Sequence, residues 1–353
     1  MMKKIIFTGG GSGGHVTLNL SLIPLFLQDG WEVVYIGSKT GIERELIAKF
    51  ADIRYYAIET GKLRRYFSWE NFKDAMRVPL GILQAIRIIH KEKPDVIFSK
   101  GGFVSFPVVL AGYLNRCPKI FMHESDVTPG LANKMSLPFV DTFFTTFPDT
   151  KKYVSDAKKV NYVGPVLSDR LDNGDAEKGR SMCFFNKDKP VIMFVGGSLG
   201  AKSINTAVIK NLEALLNKYQ IIHICGKGQT SAAKCEGYAP FEFVDKEFKD
   251  LMALADVVIS RSGSNAIFEL LSQKKPMLLV PLPGTASRGE QSLNAQSFRQ
   301  QGFAEILKDE DVVNDLVASV DLVYDHRDQY IANMEKADWK HTSNQELFAE
   351  IKK

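Results

Sequence analysis

Lys3-Lys4-Ile5-Ile6-Phe7-Thr8-Gly9-Gly10-Gly11-Ser12-Gly13-Gly14-His15-Val16 carries a short apolar run straight into glycines. Ile5, Ile6 and Phe7 form the kind of run that fills the middle of a parallel sheet. From Gly9 to Gly14 only Ser12 keeps a β-carbon, so the backbone can turn sharply and a ligand can approach its amides. An apolar-rich helix over 19–27 follows. The glycines therefore stand at a helix N-terminus, where unpaired N–H groups and the macrodipole favour negative charge. Strand, glycine turn and helix in that order predict a parallel α/β unit.

Gly9, Gly11 and Gly14 also satisfy the spacing G-x-G-x-x-G. A dinucleotide site would add an acidic residue near the end of the second strand, to hold the ribose diol. That strand, over 32–36, ends in Gly37-Ser38-Lys39, and no carboxylate is placed there. The loop reads as the lining of an active site rather than the grip on a pyrophosphate, with His15 at its edge.

Outward from this stretch, strands and helices alternate. A helix is expected over 41–50 and strands over 53–58, 96–98, 119–123, 142–146 and 161–163, which makes a doubly wound α/β sheet the leading architecture. Two strand ends carry polar chemistry: Ser99-Lys100-Gly101-Gly102-Phe103-Val104-Ser105, and His123-Glu124-Ser125-Asp126 followed by Pro129-Gly130-Leu131-Ala132-Asn133. Gly164-Pro165-Val166 reads as a hinge. The pattern then restarts with a strand over 190–195, the turn Gly196-Gly197-Ser198-Leu199-Gly200 and a helix over 204–216. Strands follow over 221–225, 241–244, 257–260 and 276–281, so the chain carries two related α/β halves.

The length of 353 residues suits two domains of roughly 150–180 residues. Hydrophobic residues at 45% and charged residues at 24% are ordinary for a globular protein. No apolar run approaches a membrane span of roughly 20 residues, and the N-terminus lacks a signal-peptide core, so the chain is expected to stay in the cytoplasm. Cys117, Cys183, Cys225 and Cys235 are scattered, which argues against a disulfide framework or a zinc site. A net charge of +4 is too mild to imply nucleic-acid binding. Residues 62–83 interleave Lys62, Arg64, Arg65, Lys73 and Arg77 with Phe67, Trp69, Phe72 and aliphatic side chains. Such a segment can lie at an anionic membrane surface or be a core-facing helix with a basic outer side.

The chemistry concentrates in Arg261-Ser262-Gly263-Ser264-Asn265 and the helix after it. Hydroxyls and amides gathered at a helix N-terminus suit a diphosphate, and Glu269 on that helix can accept both hydroxyls of a ribose. The bland alternative is that the serines only cap the helix. With no metal-ligand spacing among the six histidines, a departing diphosphate would be stabilised by amides and helix dipoles. That points to a metal-independent transferase with no tightly bound cofactor. His15 has the ordinary near-neutral chemistry of a general base; His123 and Glu124 are alternatives.

These motifs resemble the MurG family of N-acetylglucosaminyltransferases over essentially the whole chain. The resemblance rests on the glycine loop at 8–16, Gly101-Gly102-Phe103-Val104-Ser105-Phe106-Pro107, the His123–Asn133 stretch, Gly196–Gly200, and Arg261 through Glu269. It implies a GT-B fold: two Rossmann-like doubly wound domains facing a deep cleft. The implied division is an acceptor-binding, membrane-associating domain at 1–163, a hinge at 164–168, a UDP-GlcNAc-binding domain at 169–336 and a helix at 337–353 packing back on the first domain. The implied reaction is inverting transfer of GlcNAc from UDP-GlcNAc to the C4 hydroxyl of MurNAc in lipid I, giving lipid II for peptidoglycan. His15 is the candidate base and Glu124 a weaker one, and the resemblance turns Ser12, Gly13, Gly14 and His15 toward the acceptor and the reacting sugar. The donor falls to Ser12, Gly13, Gly14, Asp126, Ser168, Ser198, Val244, Ser264, Asn265, Ala266, Ile267, Phe268, Glu269 and Gln291, and the acceptor to Gly101, Gly102 and Ser105. Arg64, Arg65, Phe67, Trp69, Phe72 and Lys73 fall on the family's membrane surface, which implies peripheral attachment to the cytoplasmic face of the cell membrane, with other cell-wall synthesis proteins as further partners. Two positions depart from the pattern: Ser168, with Arg170 two residues on, stands where the family carries arginine, and Asp126 where it carries asparagine. Competing readings are a GT-B enzyme glycosylating another lipid such as diacylglycerol, a UDP-GlcNAc epimerase, and a non-catalytic nucleotide-sugar sensor.

Overall fold

The apolar runs form the strands of two all-parallel sheets in a computed structural model that describes residues 2–11, 13–61, 69–167, 171–197, 199–229, 233, 235–284 and 289–353, with the backbone alone for 69–76. Contacts divide the chain into two compact units, Met1–Val166 with Lys340–Lys353, and Leu167–Trp339.

The first unit runs β1 (Lys4–Thr8), α1 (Thr17–Gln28), β2 (Glu32–Ser38), α2 (Ile42–Ile47), β3 (Arg54–Ile58), α3 (Trp69–Glu92), β4 (Val96–Ser99), α4 (Ser105–Leu114), β5 (Lys119–Glu124), α5 (Leu131–Ser136), β6 (Thr142–Thr145) and β7 (Val160–Tyr162). Its seven strands lie in the order β3-β2-β1-β4-β5-β6-β7. The strand order reverses between β1 and β4, and a crevice at the carboxyl ends of strands is expected there. Side chains of β1 alternate between the sheet's two faces. Ile5 and Phe7 join Leu22 and Phe26 of α1 on one face, and Ile6 joins Ala85, Ile89 and Val108 of α3 and α4 on the other. Full burial of each such side chain stabilises the fold by roughly 1.5–3 kcal/mol. Gly81 lets α3 cross closely over the carbonyl of Glu59, where a β-carbon would collide.

The chain leaves through β8 (Val166–Leu167) into the second unit. This comprises α6 (Ala176–Cys183), β9 (Val191–Val195), α7 (Lys202–Lys210), α8 (Leu212–Lys218), β10 (Gln220–Ile224), β11 (Tyr238–Phe241), α9 (Phe248–Leu254), β12 (Val257–Ser260), α10 (Ser264–Ser272), β13 (Met277–Leu279), α11 (Glu290–Gln300), β14 (Ala304–Ile306), α12 (Val312–Asp325) and α13 (Arg327–Lys336). The sheet order is β11-β10-β9-β12-β13-β14, the same plan with its reversal between β9 and β12.

Three expectations change. The strand expected over 241–244 is instead Tyr238–Phe241; it contains Pro240, which an edge strand tolerates because no ladder bond is lost on its open side. The helix expected over 204–216 is two helices parted at Asn211, whose side chain donates to the carbonyls of Ala207 and Val313 at 2.9 and 2.8 Å. Such local side-chain bonds compete with helix continuation. The return to the first unit begins at Lys340 rather than 337, because Trp339 lies against Phe268 at 6.3 Å between ring centroids. Beyond it, β15 (Thr342–Ser343) pairs with β8 and α14 (Asn344–Lys352) is started by a capping box of Ser343 and Glu346. The helix α14 buries Leu347 and Ile351 in the first unit's core, and Phe348 meets Phe26 edge-on at 4.7 Å.

Candidate active site

At the reversal point of the first unit, the loops after β1, β4 and β5 converge. The Gly10 amide donates to the Gly101 carbonyl at 3.3 Å, and the Lys100 amide to Thr8 at 2.9 Å. Gly102 has φ +86°, and a β-carbon there would strike the Gly10 carbonyl. Only glycine allows that approach. Gly13 and Gly14 differ: a β-carbon at either meets nothing within 4 Å, so neither packing nor strain demands glycine, and both leave open space beside His15. His15 ends a short 3-10 turn, Gly13–His15, and is half-buried.

The sequence placed no carboxylate at the end of β2, and the structure corrects this. Glu43, from the first turn of α2, reaches back and is fully buried. Its Oε1 accepts from the Ser38 amide at 3.0 Å and the Ser38 hydroxyl at 2.5 Å, and its Oε2 from the Gly11 amide at 3.2 Å. The acid clamps the glycine loop and is not presented to a ribose. The signal in the sequence was an acid two residues beyond Gly41, opening a helix.

Lys100, the first residue after β4, is also buried. Its ammonium lies 2.9 Å from His123 Nδ1 and donates to Ser125 Oγ. Burial pulls its pKa down to about 8 against the opposing pull of the Glu124 and Asp126 charges. Burial, then the neighbouring Lys100 charge, hold His123 well below the ordinary imidazole range. A neutral, enclosed ring with Nδ1 already facing Lys100 does not serve as the base. Glu124 is equally committed: it accepts from the amides of Ser125, Asp126 and Gly130 at 2.9, 3.1 and 3.0 Å and from the Asn133 side chain at 2.9 Å. Those four bonds make it the organiser of the β5 turn rather than a proton acceptor. Ser105, expected to face an acceptor, is fully buried, and its hydroxyl donates to the Gly101 carbonyl at 2.7 Å; it shapes the loop. Asp126 stays half-buried at the rim.

The second unit holds a pocket of about 680 Å³ whose lining includes Gly197, Phe243, Val244, Ser260, Ala266 and Glu269. The helix α10 starts beside it. Its N-cap, Gly263, is extended and offers no side-chain cap, and the first turn of a helix is where backbone N–H groups favour an anion. Ser262, a candidate cap, instead donates its hydroxyl to the Gln291 carbonyl at 2.9 Å, and Asn294 donates to Ser262 at 3.2 Å. These bonds fix α11 against the loop and bring Gln291 to it. The Gln291 Oε1 accepts from the Leu282 amide at 3.1 Å, which leaves its Nε2 to donate. Arg261 pins the strand ends through Asp309 at 2.6 Å, Ser203 at 2.8 Å and the Val280 carbonyl at 3.0 Å.

Two expected donor residues are core instead. Ile267 is fully buried and its amide already bonds the Gly263 carbonyl at 3.1 Å. Phe268 packs on Phe298 at 5.1 Å. Ser264 is buried at the helix start and Asn265 is exposed. Phe243, missed in the sequence, is half exposed at the pocket with Lys227 Nζ 4.6 Å above its ring. Ser12, Arg64, Arg65, Phe67, Ser168 and Ser198, and the side chains of Trp69, Phe72 and Lys73, lie outside the described residues. Among the described residues no group of three or more His, Cys, Asp or Glu is arranged to hold a metal ion, and no helix is long and apolar enough to cross a membrane.

Residues 5–145 match the glycosyltransferase family 28 N-terminal domain, and residues 191–352 the glycosyltransferase family 28 C-terminal domain. The chain is 55% identical over 340 residues, 96% of its length and 95% of the relative's, to the UDP-N-acetylglucosamine–N-acetylmuramyl-(pentapeptide) pyrophosphoryl-undecaprenol N-acetylglucosamine transferase of Geobacillus kaustophilus. It is 49% identical to the protein of the same name from Clostridium tetani, over 96% of this chain and 95% of that one. The crystal structure of Acinetobacter baumannii MurG shares the fold, with a TM-score of 0.76, 23% identity and 99% of each chain covered. With both family 28 domains in order and half its residues shared with such relatives, the chain belongs to the MurG family of glycosyltransferases, with their GT-B fold.

Proposed function

We propose that this chain transfers GlcNAc from UDP-GlcNAc to the C4 hydroxyl of MurNAc in lipid I, with inversion, to give lipid II and UDP. The observation that carries the reading is Glu269 on a pocket wall beside a helix N-terminus that lacks a side-chain cap. This pairs an acceptor for ribose hydroxyls with a seat for two phosphates. The named activity of the relatives supplies the substrates.

Val244 meets the uracil edge through its backbone, Glu269 holds the ribose, and Ser264, Asn265 and Ala266 with Ser198 surround the diphosphate. Gln291 Nε2 donates to the GlcNAc hydroxyls. The acceptor lies on the glycine loops of the first unit, Gly101 and Gly102 among them, with Ser12, Gly13, Gly14 and Asp126 toward the reacting sugar. His15 takes the proton from the C4 hydroxyl. The hydroxyl oxygen attacks the anomeric carbon from the face opposite UDP, the bond from that carbon to the phosphate oxygen breaks, and the leaving charge is received by the α10 amides. His123 and Glu124 are both committed to buried partners, which supports His15 in this role.

Membrane attachment at the cytoplasmic face is part of the proposal. Leu80 and Leu83 on α3, and Leu131 and Met135 on α5, are exposed, and Arg77, one turn before Leu80 on α3, is exposed too. Exposed apolar side chains with a positive charge on the same helix suit an anionic bilayer.

UDP release from UDP-GlcNAc, measured with and without a lipid I analogue, tests the reading. Release that requires the analogue supports it. Tight donor binding with no analogue-dependent release would turn the search to another acceptor or to a sensor.

A further inference from the structure

In the second unit the turns after β9 and β10 stand side by side at the pocket. Gly197 and Ile224 line it, and Gly200 (φ +76°) passes so close to the Cys225 carbonyl that a β-carbon would collide with it. A run of side chains ties the two turns together. His223, on β10, is buried, with Nε2 3.0 Å from Asn205 Oδ1 and Nδ1 2.8 Å from the Tyr238 hydroxyl. Asn205, on α7, donates through Nδ2 to the Cys225 carbonyl and to Gln229 Oε1, both at 2.9 Å. Gln229 Nε2 in turn donates to the Leu199 carbonyl at 2.6 Å.

The backbone sets the direction of these bonds. A carbonyl oxygen only accepts, so the Cys225 carbonyl turns Asn205 Nδ2 toward itself and Oδ1 toward the ring. The Leu199 carbonyl fixes Gln229 in the same way. His223 then carries its proton on Nε2, and Nδ1 accepts from Tyr238. Burial holds the pKa of His223 down to about 4, so the ring is neutral near neutral pH and the order does not reverse. Hydrogen bonds aligned head to tail strengthen one another. The last of them fixes the peptide between Leu199 and Gly200, and the Gly200 amide closes the turn on the Gly197 carbonyl at 3.0 Å.

We propose that His223 and Gln229 are positioning residues: through Asn205 they hold the glycine turn at 197–200 in the shape that receives the phosphates of the donor nucleotide. They act from behind the turn, since the pocket wall here is formed by Gly197 and Ile224. The inference rests on the reading that this pocket takes a nucleoside diphosphate.

The test titrates the full chain with UDP and with uridine. Gln229→Met keeps the length of the side chain and removes both polar ends. It is expected to raise the Kd for UDP about fivefold, the loss of one hydrogen bond, and to leave the Kd for uridine within about twofold of wild type. An unchanged Kd for UDP overturns the proposal. So does an equal rise for uridine, which a general loosening of the pocket would give. His223→Phe keeps a flat ring but leaves Asn205 Oδ1 without its donor; it is expected to raise the Kd for UDP about tenfold, again with uridine unaffected. If that variant fails to fold, Gln229→Met decides alone. Nitrogen NMR of wild type should find the His223 ring protonated at Nε2 alone at pH 7, and a proton on Nδ1 contradicts the order of the bonds. If wild type does not bind UDP, the functional reading fails on its own. Exchange of the Gly200 amide with solvent then decides: faster exchange in Gln229→Met than in wild type supports the hold on the turn, and equal rates overturn it.

Discussion

The two units repeat one plan, a parallel sheet whose order reverses beside its first strand, yet they use their acids in opposite ways. In the first unit the carboxylate near the glycine loop, Glu43, is fully buried and bonded to Gly11 and Ser38. Glu124 is likewise bonded to the amides of its own turn. In the second unit Glu269 lines an open pocket, and the helix that carries it has no side-chain cap. An acid used by its own loop makes a rigid rim. An acid on a pocket wall is placed where a ligand can reach it. The same topology therefore supplies a self-bonded rim in one unit and a pocket in the other, the seat we propose for the nucleotide.

The largest expected effect breaks the chemistry at the rim. His15→Ala should lower kcat by roughly 10²–10⁴, the span of a lost general base, with the Kd for UDP unchanged; wild-type kcat would move the base elsewhere. Glu43→Ala should destabilise the protein by about 3 kcal/mol, because three donors lose a buried carboxylate. Chemical denaturation reads that change, and an unaltered midpoint would contradict the clamp. Glu269→Ala should instead weaken UDP binding about 100-fold by calorimetry, since charged hydrogen bonds to the ribose are lost, while the denaturation midpoint barely moves. Swapped outcomes for the two glutamates would reverse the comparison.

Lys100 sharpens it further through pH. Its folded pKa of about 8 lies below the ordinary 10.5, so the unfolded chain binds more protons between those values and stability rises with pH across that window. The contribution is fully present above 10.5 and lost as pH falls through 8. Relative to Lys100→Met, wild type should gain about 2–3 kcal/mol between pH 7 and pH 10; a flat difference would mean the lysine is not held below its usual range. The smallest effect is expected from EDTA, which should leave transfer largely intact. Complete loss restored by Mg²⁺ would contradict a mechanism that relies on amides and a helix dipole.

The fold was largely legible because both sheets are built from short apolar runs ended by glycine turns, and that pattern is local. Residues 190–200 announced the second unit in the same terms as 3–16 announced the first. The edge strand Tyr238–Phe241 was not legible, since Pro240 counts against a strand until its place at the sheet edge is known. At the site, Glu269 was readable from its place on the helix after Arg261–Asn265, whereas Val244 and Ala266 came only through the family resemblance; all three line the pocket. Ile267 and Phe268 sat inside the same motif, but helical periodicity turns them to the core. Glu43 and Lys100 were hidden because their partners lie on other strand ends, 32 residues away for Gly11 and 23 for His123. Spacing along the chain carries no trace of such contacts.

The most direct test of the contrast between the units is hydrogen–deuterium exchange of the full chain with and without UDP, with no sugar and no acceptor present. Protection confined to the first turn of α10 and the segment around Val244, with the Lys100–Ser105 loop unchanged, is the predicted result. Protection of the first unit's glycine loops, with α10 unchanged, would place the nucleotide on the wrong unit and contradict the account.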